Sequence, residues 1–218
     1  MKLAVVGGVH ASGKTSLILH VARHAARQGL TTGVYKIDAM EAGDDQAYGR
    51  HDIPAVVHAA PDICPDHEAM GVLDDAYSWG LAKGLDLLVI ETAGLCHRCS
   101  PFLGRFLSIC AVSGLAGILA PAKMRPLVEG ADIVVLTRSE MISQAERQVF
   151  LDRLRELNPS ALVMHVDGLT GEGTLPVARA MIGRPDSVLL PLEPLRARLP
   201  MGYCHFCQGP GAGRELGL

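Results

Sequence analysis

Apolar and polar residues follow two different periods along this chain. Short runs rich in Val, Ile and Leu are separated by longer stretches in which apolar residues recur every three or four positions. The first pattern is typical of buried strands and the second of helices that cover a sheet, so their alternation predicts an α/β fold with a mainly parallel sheet flanked by helices. The predicted strands are residues 2–6, 32–37, 55–58, 86–90, 107–112, 132–136, 161–166 and 187–190. The predicted helices are residues 15–28, 67–83, 122–129, 143–157 and 174–182.

This alternation ends at Arg184. Prolines at positions 185, 191, 194 and 200 and a glycine-rich stretch at 209–213 follow, and such residues disfavour regular helix packing. We therefore predict one α/β domain over residues 1–183 and an irregular, cysteine-containing tail over residues 184–218. The tail is expected to pack on the same domain or on a second copy of the chain.

Composition and charge narrow the class of protein. The chain has 218 residues, 49% hydrophobic and 20% charged, with no apolar run long enough to span a bilayer, so membrane insertion is not expected. A net charge of -3 without a Lys/Arg cluster argues against nucleic acid as a partner. Because no basic segment precedes an apolar core at the N-terminus, we expect the protein to be cytoplasmic, where its six cysteines stay reduced.

A phosphate-binding pattern follows the first predicted strand. Residues 8–15 match G-x-x-x-x-G-K-[ST] at every fixed position. The glycines of such a loop let consecutive N–H groups surround phosphates, while Lys14 supplies a positive charge and Thr15 can ligate magnesium. The alternative is a glycine-rich turn that matches by accident. The predicted nucleotide-binding residues of this P-loop are Gly8, Ala11, Ser12, Gly13, Lys14, Thr15 and Ser16.

Acidic residues at the ends of two predicted strands extend this site. Glu91 follows a fully apolar run and can hold magnesium through water, and Gly94 lets the backbone approach the third phosphate. Asp38 is the candidate to orient the attacking water or to join the metal shell. A surface cap is the alternative for Glu91, and a solvated acidic turn accounts for some of Glu41, Asp44 and Asp45. The predicted catalytic residues are Lys14, Asp38 and Glu91, and the predicted magnesium ligands are Thr15, Asp38 and Glu91.

Two C-x-x-C pairs point to thiol chemistry. Cys96 and Cys99 follow Gly94, and Cys204 and Cys207 lie in the tail. Together they offer four sulfurs, enough for a tetrahedral zinc site or an iron–sulfur cluster. A dithiol redox pair and cysteines that only fill apolar space are the alternatives. Whether the two pairs share one site, within or between chains, stays open.

These motifs together resemble those of the HypB/UreG group, SIMIBI-class P-loop GTPases that insert nickel into hydrogenase and urease. The phosphate loop, the apolar strand that ends in Glu-x-x-Gly at 91–94 and Cys96 just beyond it all match that group. Cys64, in the segment 63–70, resembles its metal-binding cysteine, and residues 170–173 resemble its last guanine-loop segment. The likeness extends from residue 2 to about residue 182.

The resemblance implies a metallochaperone. Such a protein is a slow nucleoside-triphosphate hydrolase that uses GTP or ATP with Mg²⁺ to deliver a thiolate-bound metal, nickel by resemblance, into a client metalloenzyme. Its expected partners are the client or its accessory proteins and a second copy of the chain in a nucleotide-dependent homodimer. His67, three positions after Cys64, is a further candidate ligand, although a place in the first turn of a helix explains it equally well.

The chain departs from this group where the base is read. The family has Asn-Lys-x-Asp, and this chain has Thr137, Arg138, Ser139 and Glu140. Glu140 can accept the guanine N–H groups and the Arg138 stem can cover the base, but Thr137 cannot replace an amide. GTP is therefore favoured only weakly over ATP, because fewer base hydrogen bonds discriminate less. A helix cap formed by Ser139 is the alternative explanation of this segment.

Two other classes of function also fit a P-loop. A small-molecule kinase uses the same loop but needs a basic lid and an acceptor site, and no arginine-rich lid is evident in the sequence. A metal-storage or redox-sensing module that uses nucleotide only as a structural ligand is the non-enzymatic alternative.

Overall fold

The computed structural model describes residues 1–39, 45–61, 64–94 and 99–189 and two short strands, Tyr203–Cys204 and Gly209–Pro210. The strands of the domain are β1 (Lys2–Gly7), β2 (Thr32–Asp38), β3 (Ala55–Ala59), β4 (Leu87–Thr92), β5 (Leu107–Ser113), β6 (Ile133–Thr137) and β7 (Leu162–Val166). The helices are α1 (Lys14–Ala26), α2 (Asp45–Gly49), α3 (Pro65–Gly71), α4 (Leu73–Ala82), α5 (Ala120–Lys123), α6 (Arg125–Gly130), α7 (Gln144–Leu157) and α8 (Thr174–Ile182).

All seven strands of the domain are parallel neighbours in one sheet, in the order β3-β2-β4-β1-β5-β6-β7. Both faces of the five central strands, β2, β4, β1, β5 and β6, are buried, as their apolar runs predict. Val6 lies in the cluster that α1, α2 and α8 complete, and its neighbour Val5 lies in the cluster that α3, α4, α6 and α7 complete. The predicted parallel α/β fold is confirmed.

Two predicted helices are each divided in the structure. The helix predicted at 67–83 is α3 followed by α4, which meet at Val72, where φ is −100° and ψ is 8°. Helix α3 begins at Pro65, earlier than predicted. Proline is favoured there because an N–H in the first turn has no acceptor within the helix, so its absence costs no hydrogen bond. The helix predicted at 122–129 is α5 followed by α6, because Pro126 cannot donate to a preceding turn.

The first seven predicted strands are present, but the eighth, predicted at 187–190, is wrong over its described residues 187–189. Ser187 donates a backbone hydrogen bond to the Met1 carbonyl (2.9 Å). Its side-chain oxygen accepts one from the Leu3 N–H (3.1 Å), and its carbonyl accepts one from the Tyr77 hydroxyl (2.8 Å). Side-chain and single backbone bonds therefore take the place of a strand ladder here.

None of the helices in the described part of the chain is both long enough and apolar enough to cross a lipid bilayer.

Asn158 joins α6 to the start of β7. The side chain is 6% exposed, and its amide nitrogen donates to the carbonyls of Val128 (2.8 Å) and Ala131 (2.9 Å). Its amide oxygen accepts from the backbone N–H groups of Ser160 (3.2 Å) and Ala161 (3.0 Å). One buried amide therefore satisfies backbone groups at the end of α6 and in the α7–β7 connection.

We expect Asn158→Ala to lower the free energy of unfolding by about 2 to 4 kcal/mol, because buried carbonyls and N–H groups lose their partner together. Urea unfolding followed by circular dichroism measures this. Gln148→Ala is the matched control, because Gln148 is exposed and its amide donates to the exposed side chain of Asp152 on the same helix. Its change should stay within about 0.5 kcal/mol. Equal effects of the two substitutions would contradict the role given to Asn158.

Candidate functional site

The phosphate loop lies between the carboxyl end of β1 and the start of α1. Its backbone has positive φ at Gly8 (137°), Ala11 (57°) and Gly13 (88°), and the Ser12 N–H donates to the Val9 carbonyl (3.2 Å). A Cβ atom at Gly8 would collide with the Ala111 carbonyl oxygen. The glycine of the motif is therefore required by the packing of the loop on β5, and the positive end of α1 points into the loop.

Lys14 is buried inside this loop, with 6% of the residue exposed. Its ammonium group donates hydrogen bonds to the carbonyls of Gly8 (2.9 Å), Val9 (2.9 Å) and Ala93 (3.3 Å). Burial lowers the pKa of Lys14, and the negative charge of Glu91 acts in the opposite direction. The structure thus places a desolvated cation in the concave side of the loop, where an anionic ligand would be attracted strongly.

Glu91 ends the apolar part of β4 and is 1% exposed. Its Oε1 accepts a hydrogen bond from the Thr15 hydroxyl (2.7 Å), and its Oε2 accepts one from the Tyr48 hydroxyl (2.6 Å). The alternative that Glu91 is a surface cap is wrong, because the residue is buried. The structure brings Thr15 and Glu91 together as the magnesium prediction requires.

Gly94 packs directly on the phosphate loop. Its φ is 71°, and its carbonyl accepts a hydrogen bond from the His10 N–H (3.0 Å). A Cβ atom at this position would collide with the Gly8 carbonyl oxygen. Both the backbone conformation and the close approach therefore require glycine at position 94.

Asp38 lies at the end of β2, beside the same edge of the sheet. Its Oδ2 is 3.4 Å from Nζ of Lys36, and its Oδ1 accepts from the Ala39 N–H (2.8 Å). Lys36 is 4% exposed and is paired in register with Glu91 of β4. Glu41 and Asp44 lie outside the described residues, as does the side chain of Asp45.

Two residues of this edge, Tyr48 and Lys36, were not found by the sequence reasoning. Neither belongs to a recognised motif, and α2, which carries Tyr48, has only five residues. The available signals were indirect: a lysine inside an apolar strand, and a tyrosine in a short polar segment. Each needs a partner if buried, but the sequence does not say which one.

Thr137 and Arg138 are fastened to the phosphate loop. Thr137 is the last residue of β6, and its hydroxyl donates to the Ser12 carbonyl (2.8 Å). Arg138 has a φ of 53°, and its guanidinium donates to the Ala11 carbonyl (2.6 Å) and to the Ser113 hydroxyl (3.3 Å). These side chains therefore position the loop that precedes α1.

Ser139 does not cap a helix, so that alternative is wrong. Its hydroxyl is 3.1 Å from Nδ1 of His165. The following long helix, α7, is capped instead by Ser143, which forms a reciprocal pair of bonds with Glu146. Glu140 lies exposed in the short turn that begins at Ser139.

The segment 167–173 also faces α1. Asp167 accepts hydrogen bonds from the Thr170 hydroxyl (2.7 Å) and the Leu169 N–H (2.7 Å), and these bonds hold the pKa of Asp167 below its usual value. Nε2 of His20 is 3.1 Å from the Gly168 carbonyl oxygen. The turn that leads into residues 170–173, the segment that resembles a guanine loop, therefore rests on the helix that follows the phosphate loop.

Ser16 and His24 extend this contact. A Cβ at Gly168 would lie 3.2 Å from Cβ of Ser16, and Nε2 of His24 is 3.1 Å from the Thr174 hydroxyl. His20 and His24 thus join α1 to the segment that leads into α8 and to its first residue.

The described cysteines are buried thiols. Cys64 precedes α3, with its Sγ 4.0 Å from Oδ2 of Asp66, and Cys99 is 1% exposed. Cys110 of β5 is a fully buried core residue, and burial raises the pKa of its thiol to about 12.

The remaining predicted thiol-site ligands cannot be placed. Cys96 and Cys207 lie outside the described residues, as do the side chains of His67 and Cys204. Within the described part of the chain, no group of three or more His, Cys, Asp or Glu side chains is arranged to hold a metal ion. The thiol-bound metal therefore stays a prediction.

The chain is similar in sequence to a protein of an archaeon. The uncharacterized protein MJ0120 of Methanocaldococcus jannaschii is 41% identical over 209 residues, which cover 96% of this chain and 89% of the relative. No family model matches the chain.

Solved structures show the same fold at lower identity. The hydrogenase maturation factor HypB from Archaeoglobus fulgidus superposes with a TM-score of 0.66 at 21% identity, covering 83% of this chain and 89% of that one. HypB from Helicobacter pylori, in complex with nickel, superposes with a TM-score of 0.66 at 16% identity, covering 83% and 86% of the two chains. The resemblance to a HypB-type P-loop GTPase is confirmed at the level of the fold.

We expect Gly94→Ala to displace the phosphate loop, because the new methyl group meets the Gly8 carbonyl and the residue keeps a positive φ. Gly84→Ala is the matched control, since Gly84 has a similar φ of 65° and open space around its Cβ position. Strain alone should cost each variant about 1 kcal/mol, and the collision should cost Gly94→Ala at least about 2 kcal/mol more. Urea unfolding and equilibrium binding of a fluorescent nucleotide measure both effects. Equal losses in the two variants would show that the close approach is unimportant.

Proposed function

We propose that this chain, which belongs to the family of the Methanocaldococcus jannaschii protein MJ0120, is a nucleoside-triphosphate hydrolase of the metallochaperone type. It binds GTP or ATP with Mg²⁺ and hydrolyses the triphosphate slowly. The resulting change in loop conformation leads to delivery of a metal ion to a client metalloenzyme. The HypB-type fold supports the P-loop part of this proposal. The delivery of a metal to a client enzyme is proposed from the resemblance to HypB.

One observation carries the proposal. Lys14, Thr15, Glu91 and Gly94 come from two distant segments and meet at the carboxyl edge of β1 and β4, within hydrogen-bonding or packing contact of the same loop. A glycine-rich turn that matches the motif by accident would not be expected to lie beside a buried lysine, a buried carboxylate and an obligatory glycine. Ligands of parallel α/β sheets bind at this carboxyl edge.

Thr15 and Glu91 fit magnesium, because a hydroxyl and a buried carboxylate 2.7 Å apart are the hard oxygen donors this ion prefers. When bound, magnesium supplies positive charge that offsets the charge developing on the phosphates. Lys14 adds a second positive charge, and the N–H groups of the loop and of the first turn of α1 donate to the phosphate oxygens. Asp38 is the proposed group that orients the attacking water.

The preference for GTP over ATP stays weak. Thr137 uses its hydroxyl on the Ser12 carbonyl, and Arg138 uses its guanidinium on the Ala11 carbonyl. Glu140, exposed beside them, is the remaining candidate to accept the guanine N–H groups. A base read mainly by one exposed carboxylate is discriminated less than one read by a buried pair of hydrogen bonds.

Chain connectivity supports a link between the nucleotide and the thiols. Cys99 lies five residues after Gly94, whose backbone packs on the phosphate loop. Asp66, two residues after Cys64, is buried and close enough for its charge to act on Lys14. An order imposed on these loops by the third phosphate would therefore reach both cysteine segments. HypB from Helicobacter pylori was solved with nickel, and we propose nickel for this chain as well.

A nucleotide-dependent homodimer and contact with the client or its accessory proteins complete the proposal. The homodimer follows from the proposed class.

Lys14→Ala is expected to lower nucleotide turnover by about 100-fold or more, because a charge aimed at the transferring phosphate is lost. Thiol-bound metal should remain. Phosphate release with GTP and with ATP measures turnover, and Lys83→Ala is the control, because Lys83 is exposed and precedes β4 at the opposite edge of the sheet. Turnover that survives in Lys14→Ala would overturn the assignment of the site.

The double substitution Cys96→Ser and Cys99→Ser is expected to lower the metal content of anaerobically purified protein, because serine is a poor ligand for a soft metal. Elemental analysis per chain measures this. Cys110→Ala is the control, because it removes a core thiol from β5. Unchanged metal content in the double variant, with turnover intact, would leave a hydrolase without the proposed thiol metal.

A further inference from the structure

Glu91 is held from two sides by two hydroxyl groups. Thr15, in the first turn of α1, donates to Oε1 (2.7 Å), and Tyr48 of α2 donates to Oε2 (2.6 Å). Both Glu91 and Tyr48 are buried, with 1% and 0% exposure. The carboxylate is therefore fixed by donors that come from different helices.

We propose that Tyr48 is a positioning residue that sets the magnesium affinity of the nucleotide site by fixing the Glu91 carboxylate. The inference rests on the proposed function, because it takes Thr15 and Glu91 as the groups that hold magnesium. It adds a role for α2, a helix that lies between the strand carrying Asp38 and the edge strand β3.

The chemistry of the two hydroxyl groups supports this role. A hydroxyl has one O–H and two acceptor lone pairs, so Thr15 can donate to Glu91 and still offer a lone pair to a cation. The direction of that lone pair depends on where Oε1 lies. The terminal torsion of a glutamate is soft, so a carboxylate held at Oε1 alone can turn about it. The Tyr48 hydroxyl removes this freedom.

Tyr48 is itself held firmly. Its ring belongs to the cluster of Val6, Ile18 and Val34. Its carbonyl accepts hydrogen bonds from the His51 N–H (2.9 Å) and the Ile53 N–H (3.2 Å). A packed ring with two rotatable side-chain bonds positions its hydroxyl better than a long flexible side chain does.

The test compares Tyr48→Phe with the wild type in two binding measurements. A fluorescent GTP analogue is titrated in EDTA, and the Mg²⁺ concentration that half-saturates the tight complex is then measured. We expect binding in EDTA to be unchanged and the half-saturating Mg²⁺ concentration to rise roughly tenfold, the effect of one lost hydrogen bond to a charged group. An unchanged Mg²⁺ requirement overturns the inference.

Tyr77→Phe is the matched control. Tyr77 also donates one hydrogen bond of similar length, 2.8 Å to the Ser187 carbonyl, but it does so near the amino end of β1. Both measurements should match the wild type. Equal Mg²⁺ shifts in Tyr48→Phe and Tyr77→Phe, or a loss of binding in EDTA by Tyr48→Phe, would indicate a general structural effect and overturn the positioning role.

A second pair of variants tests the route of the effect. In a Glu91→Gln background, Tyr48→Phe should cause no further rise in the half-saturating Mg²⁺ concentration, because the group that Tyr48 positions is already altered. A full additional rise overturns the inference. Wild-type protein that binds no nucleotide, or binds it without any Mg²⁺ dependence, refutes the proposed function itself and this inference with it.

Discussion

The buried carboxylate of Glu91 is the constraint on which the site depends. Removing a carboxylate from water costs several kcal/mol unless hydrogen bonds and nearby positive charge compensate for it. That cost is on the order of the net free energy of unfolding of a small domain. Thr15 and Tyr48 supply the hydrogen bonds, and Lys14 lies close enough for the charge of Glu91 to act on it. The end of β4, the start of α1 and the helix α2 must therefore keep one mutual arrangement.

The close approach of Gly94 to Gly8 adds a second, purely steric coupling. No side chain can be accommodated between the two backbones, so Gly94 and the phosphate loop are in direct backbone contact. In the proposed function, this contact transmits the structural effect of the third phosphate to the segment that leads to Cys99. The electrostatic and steric constraints act on the same edge of the sheet, which makes that edge the natural place for a nucleotide-driven switch.

Much of the fold could be predicted because its signals are local. Fully apolar runs identified the strands, and the phosphate-loop pattern identified the first strand–loop–helix unit together with Lys14 and Thr15. The helix breaks at Val72 and Met124 were not predicted, because apolar spacing continues across both, although Pro126 gave a signal for the second break. The bonds of Ser187 to the chain start take the place of the strand predicted at 187–190.

The sequence by itself determined the class of the fold and the chemical identity of the phosphate site, because the spacing of glycine, lysine and threonine acts over a few residues of one chain segment. Tertiary structure decided the partners of those groups. That Tyr48 faces Glu91 and that Lys36 is paired in register with Glu91 depend on how β2, α2 and β4 come together. Such contacts are set by packing between segments more than forty residues apart along the chain, as for Tyr48 and Glu91, and no local pattern records them.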